Sequence, residues 1–193
     1  MKKGIRIVGI AIICIGIIVG YYYYLSNHGK KDVENSTEIS KVDEALSRDL
    51  AKDYPPTPRE VVKFYNKLLQ CFYNEDCSKS EIAELGGQAR LLMDDALLAN
   101  NPKEQYLTLL ENDFQDSKDI GKTISDTTVA NSSDIKYQKV KGEECAYVTA
   151  SYFVKEGNSY TRTYEEYVLR KDTNKQWKIL GYQLTKGDSS DEQ

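Results

Sequence analysis

The chain is nearly without histidine: among 193 residues there is one, His28. That absence removes much chemistry. No Ser/His/Asp or Cys/His arrangement can form in the part of the chain that follows, and no histidine-based metal site can form there either. Acidic residues are missing from the first 30 positions, which carry only Lys2, Lys3, Arg6 and Lys30 as charges. The remainder holds 22 basic against 30 acidic residues, a net of −8. A domain of that sign repels phosphate backbones, so nucleic acid is not an expected partner.

Charge of either sign is absent from Ile7 to Leu25. Those 19 residues are crowded with Ile7, Ile10, Ile12, Ile13, Ile15, Ile17 and Ile18. At 1.5 Å per residue they reach about 28 Å as a helix, close to the ~30 Å hydrocarbon thickness of a bilayer. Seven isoleucines favour insertion by about 3–4 kcal/mol. The run is too long for a removable signal, and its exit through Tyr21, Tyr22, Tyr23 and Tyr24 has no Ala-x-Ala-like site. Tyrosine suits the headgroup level, where its ring stays apolar and its hydroxyl stays wet. Cys14 lacks the small residues of a lipobox before it.

The expected organisation follows: a cytoplasmic tail at 1–6, a single-pass transmembrane signal-anchor at 7–25, a stalk at 26–56, one domain at 57–186 and a disordered acidic tail at 187–193. The basic residues at the N-terminus favour that end in the cytoplasm and the domain outside the cell membrane. Gly9, Gly16 and Gly20 fall near one helix face, which would let a second helix approach and form a homodimer; glycine is also simply common in membrane helices.

The stalk carries one helical pattern, Val42, Ala45, Leu46 and Leu50, suited to packing on the domain or on a partner. Tyr54-Pro55-Pro56 is stiff and extended and marks the domain entrance. Thr57-Pro58-Arg59-Glu60 reads as a helix start with a capping box, followed by Val61, Phe64, Tyr65, Leu68 and Phe72 at helical spacing. Ser78-Lys79-Ser80-Glu81 is a second capping box, and Gly86-Gly87 is expected to break or kink the helix it starts. Asn100-Asn101-Pro102 separates two further helices, the second carrying Tyr106, Leu109, Leu110 and Phe114.

The period then changes. Thr123–Val129, Ile135–Lys141, Cys145–Lys155, Tyr160–Arg170 and Trp177–Leu184 are rich in Tyr, Val, Thr and Ile and read as strands. Short turn signals between them, Asn131-Ser132-Ser133-Asp134 among them, predict an antiparallel meander. The fold class is therefore α+β.

Cys71 and Cys77 lie six residues apart. On a continuous helix they would be about 9 Å apart along the axis, too far for a disulfide. A bridge needs the helix to end near Tyr73–Asn74. It would then contribute about 2 kcal/mol outside the cytoplasm. Cys145 is a rival partner, and unpaired thiols are the plainer alternative.

Helices followed by a long-stranded meander that ends in Trp177-Lys178-Ile179-Leu180-Gly181-Tyr182 resemble the nuclear transport factor 2-like, SnoaL-type α+β superfamily over roughly residues 57–186. The resemblance implies a cone-shaped domain, its helices packed on a curved sheet. The whole layout also resembles small envelope proteins of Clostridia-type Gram-positive bacteria, a group that implies no activity. Members of the superfamily include pocket enzymes of isomerase and dehydratase type that use Asp, Tyr or His, and non-catalytic extracytoplasmic domains.

Asp94 and Asp95 are the carboxylate pair from which a proton-transfer base would come, if either faces a pocket; a solvated helix face is the plainer reading. Glu111, Asp113, Asp116 and Asp119 have no EF-hand spacing, so no metal is expected, and no cofactor motif is present. Tyr147, Tyr152, Tyr160, Tyr164 and Tyr167 form an aromatic sheet surface, read either as core and cross-strand pairing or as a binding surface. The function expected is a non-catalytic, extracytoplasmic binding domain at the membrane, its partner an envelope protein, a peptide or a small ligand. A pocket enzyme using Asp and Tyr, and a purely structural envelope component, are the alternatives.

Overall fold

The structure is a computed structural model that describes residues 40–186. The expected membrane segment with Gly9, Gly16 and Gly20, the first part of the stalk and the tail from Gly187 lie outside the described residues. Among the described residues no helix is long and apolar enough to cross a membrane.

Among the described residues five helices precede five strands: α1 Lys41–Leu46, α2 Pro58–Asn74, α3 Lys79–Leu91, α4 Asp95–Ala99 and α5 Lys103–Asp119, then β1 Lys122–Val129, β2 Lys136–Val140, β3 Glu143–Glu156, β4 Ser159–Lys171 and β5 Trp177–Thr185. The fold is α+β with an open antiparallel sheet.

α1 starts at Ser40, whose hydroxyl accepts from the Asp43 amide. Val42, Ala45 and Leu50 are buried in the main core. The segment expected as stalk is thus part of the packed unit from residue 40 onward.

α2 starts as predicted at Thr57, whose hydroxyl accepts from the Glu60 amide, with Pro58 in the first turn. The reciprocal half of the capping box is not made. Glu60 reaches Lys63 and Arg59 instead, because opposite charges one turn away or beside it compete with the backbone. At Ser78 both halves of the box form.

The glycine pair does not break α3. The helix runs through Gly86 and Gly87. A Cβ on Gly86 would lie 2.7 Å from a Leu110 methyl and 2.8 Å from a Leu107 methyl, whereas one on Gly87 would meet open space. Gly86 therefore lets α3 and α5 approach closely, and the helix tolerates the propensity cost.

In the sheet β2, β3, β4 and β5 form the expected meander, but β1 does not pair with β2. Both run along the same edge of β3, β1 from Lys122 opposite Glu156 to Val129 opposite Ala150, and β2 from Lys136 opposite Tyr147 to Val140 opposite Glu143. Asn131–Asp134 is an interruption along that edge rather than a hairpin reversal. Two positive-φ residues, Lys141 (52°) and Gly142 (89°), make the tight β2–β3 turn. α2 packs on β1, β3 and β5, closing the core around Val61, Leu68, Ala146, Val148, Leu169 and Ile179.

Candidate functional site

Tyr65, Leu69 and Tyr73 recur every four residues on α2 and form a single stripe along the helix. That stripe is one wall of an open cleft of about 390 Å³. The other wall is the sheet face beneath it. Side chains alternate across a strand, and paired residues share a face. Tyr152 pairs with Thr163, and Tyr167 pairs with Tyr182, so β3, β4 and β5 deliver Tyr152, Glu165, Tyr167 and Tyr182 to the same side. Tyr167 packs edge-on against Tyr65, with centroids 5.9 Å apart, and tilted against Tyr182 at 5.4 Å.

A chain of hydrogen bonds runs along the floor. The Tyr152 hydroxyl lies 2.7 Å from Asn66 Oδ1 and 2.6 Å from the Tyr167 hydroxyl, which donates to Glu165 Oε2 at 2.8 Å. Asn66 is 1 % exposed, and its Nδ2 has no partner. Two phenol hydrogens cannot serve three contacts. With Glu165 ionised, the Asn66 amide supplies the third by turning Nδ2 toward Tyr152, and every donation then points at Glu165. With Glu165 protonated, its own hydrogen closes the chain in the opposite sense.

Burial sets the acidities. It raises the Tyr65, Tyr73, Tyr152, Tyr167 and Tyr182 phenols above their ordinary range, so all five stay protonated. It also raises the Glu165 carboxyl, against the opposing effect of the Tyr167 hydroxyl.

A second hollow, of about 430 Å³, contains the carboxylate pair singled out in the sequence. Asp94 is 4 % exposed and fully occupied. Its Oδ1 accepts from the Ala96 amide at 2.8 Å and from Arg170 Nη2 at 2.5 Å, and Oδ2 accepts from Arg170 Nε at 2.9 Å. Arg170 Nη1 continues to Glu143 at 2.7 Å. The Asp94 amide and the Leu92 carbonyl hold Ile179 of β5 from either side. Asp94 thus caps α4 and pins it to β4 and β5, and Asp95 is exposed. Neither reaches the tyrosine cleft.

The five tyrosines expected on one surface divide between two. Tyr152 and Tyr167 face α2. Tyr147, Tyr160 and Tyr164 lie on the opposite face, where Gln138 donates to the Tyr147 hydroxyl at 2.7 Å and Tyr160 stacks on Phe153 at 5.5 Å. The register across the Gly157 turn sets this, pairing odd positions of β3 with even positions of β4. Sequence reasoning missed Asn66 and Glu165. The readable signal for Glu165 was its position two residues from Tyr167, on the same side of one strand.

The Cys71–Cys77 bridge is not formed in the structure; Cys71, Cys77 and Cys145 are free thiols. α2 does end at Asn74, as a bridge requires, but the thiols turn to backbone carbonyls. Cys71 donates to Lys41 at 3.3 Å and Cys77 to Cys71 at 3.7 Å. Burial raises the Cys71 thiol and pushes Cys77 up to about 11. Of the acids on α5, Glu111 pairs with Lys79 and Asp113 accepts from the Tyr73 hydroxyl. Among the described residues no group of three His, Cys, Asp or Glu is placed to hold a metal ion.

No curated protein matches the chain. The family described as Domain of unknown function (DUF6715) matches residues 1–182, and the chain belongs to that family.

Proposed function

We propose that this protein is a membrane-anchored, extracytoplasmic binding domain of nuclear transport factor 2-like architecture, and that the tyrosine cleft between α2 and the sheet is its ligand site. One observation carries the reading: the cleft is open, of small-ligand size, and floored by a polar chain that ends on a half-buried carboxylate. Such a chain inside an otherwise aromatic cleft orients a ligand's polar end, while the rings bury its apolar part. The charge-free run from Ile7 to Leu25 and the basic residues before it support the anchor and its direction.

Thermal unfolding of the full chain in maltoside micelles, against a library of small amphipathic compounds, tests the cleft. Compounds that raise the midpoint of the natural chain should lose their effect in Tyr182→Ala, a substitution at an exposed position. Protection that persists in that variant counts against the cleft. Protease shaving of intact cells tests the topology: removal of the domain is expected, and its survival would overturn the placement outside.

Glu165 beside the Tyr167 hydroxyl favours a second reading, a pocket enzyme of isomerase or dehydratase type with Glu165 as its proton-transfer group. Bound compounds recovered unchanged support binding. Conversion that stops in Glu165→Gln supports catalysis.

A further inference from the structure

We infer that the cleft takes a small organic cation, an alkylammonium or quaternary ammonium group held between the tyrosine rings and the Glu165 carboxylate. The inference rests on the cleft being the ligand site.

Aromatic faces are negative at their centres and attract cations that shed little water, as ammonium groups carrying carbon substituents do. Tyr65, Tyr73, Tyr152, Tyr167 and Tyr182 border one cleft from four elements, α2, β3, β4 and β5. The chain already uses this mode at the cleft's edge, where Lys122 Nζ lies 5.3 Å from the centroid of the Tyr73 ring. The charges lining the cleft are Lys122, Glu156 and Glu165, a net of −1. Among the described residues neither lysine nor arginine forms an ion pair with Glu165, whose one hydrogen bond is from Tyr167.

The alternatives fit less well. An anion would meet Lys122 as its only cation while approaching two carboxylates. A wholly apolar ligand would strip water from Glu165 and give nothing back. An ammonium group compensates Glu165 and lies on the rings at once. Burial of Glu165, which disfavours its charge while the site is empty, is the cost that such a ligand removes.

The test compares choline with its neutral carbon analogue, 3,3-dimethylbutan-1-ol, titrated into the full chain in maltoside micelles and read by the tyrosine ring resonances. Choline should bind about tenfold or more tighter than the alcohol, the scale of a desolvated cation–π contact. Glu165→Gln and Tyr182→Leu should each erase that preference, and Tyr182→Phe, which keeps the ring, should retain it. In phosphatidylcholine nanodiscs, a weakened response to free choline would support a lipid headgroup as the source, and an unchanged response would support a free solute. Equal binding of alcohol and choline at the cleft would overturn the cation inference and leave the binding reading standing. No response of the cleft tyrosines to either compound also overturns it, and the library screen then decides the binding reading by itself.

Discussion

Two buried or half-buried carboxylates sit at opposite ends of this molecule's chemistry. Asp94 caps a helix and receives two hydrogen bonds from Arg170, which goes on to Glu143. Its charge is answered from within the chain. Glu165 has one phenol donor and no cation among the described residues. Its charge is left for something else to answer. Asp94 is one of the two groups, with Asp95, that the sequence offered as a catalytic candidate, yet its set of partners marks it as scaffold. A folded chain gains nothing from leaving a carboxylate half-desolvated and unpaired unless a ligand completes it.

The sharpest way to break this contrast is Asp94→Ala. It removes the α4 cap and leaves Arg170 with Glu143 alone. Loss of a buried pair's partner costs about 3 kcal/mol, read as a lower midpoint in urea unfolding. A loss under about 1 kcal/mol would mean the pair is not structural. Tyr152→Phe comes next. It cuts the chain between Asn66 and Tyr167 while keeping the ring, and should cost about 1–2 kcal/mol, because a buried amide loses its partner. Glu165→Gln should change stability by no more than about 0.5 kcal/mol at neutral pH while erasing the preference for choline over its neutral analogue, the reverse of the Asp94 pattern.

The smallest effect is one of pH. Burial raises the folded-state pKa of Glu165 above its unfolded value, so the folded state holds this proton more tightly. Where only the folded state is protonated, stability falls as pH rises, and the cost of the ionised group is fully present above the folded value. The natural chain should therefore lose stability relative to Glu165→Gln as pH rises from the ordinary glutamate range through that raised value. A constant difference between the two would remove the burial effect.

Much of the fold was legible because its signals are local. Thr57 and Ser78 carry their caps in adjacent residues, and the strand assignments differ from the observed bounds by one or two positions. What was illegible depends on register and on contacts between distant elements. Gly86 reads as a breaker until Leu107 and Leu110 of α5 are seen against it. The aromatic residues of β3 and β4 cannot be sorted into faces without the turn that pairs Glu156 with Ser159. Asn66 meets Tyr152 across 86 positions of chain, a separation that hydrophobic periodicity does not report. The site was harder to read than the fold because it is built entirely from such pairings.

The most direct measurement is a titration of the Glu165 side chain by carboxyl-selective NMR in the full chain, with and without choline. The account predicts a midpoint above the ordinary glutamate value of 4.5 in the empty protein, moving down when choline binds. An ordinary midpoint that choline leaves in place would contradict it.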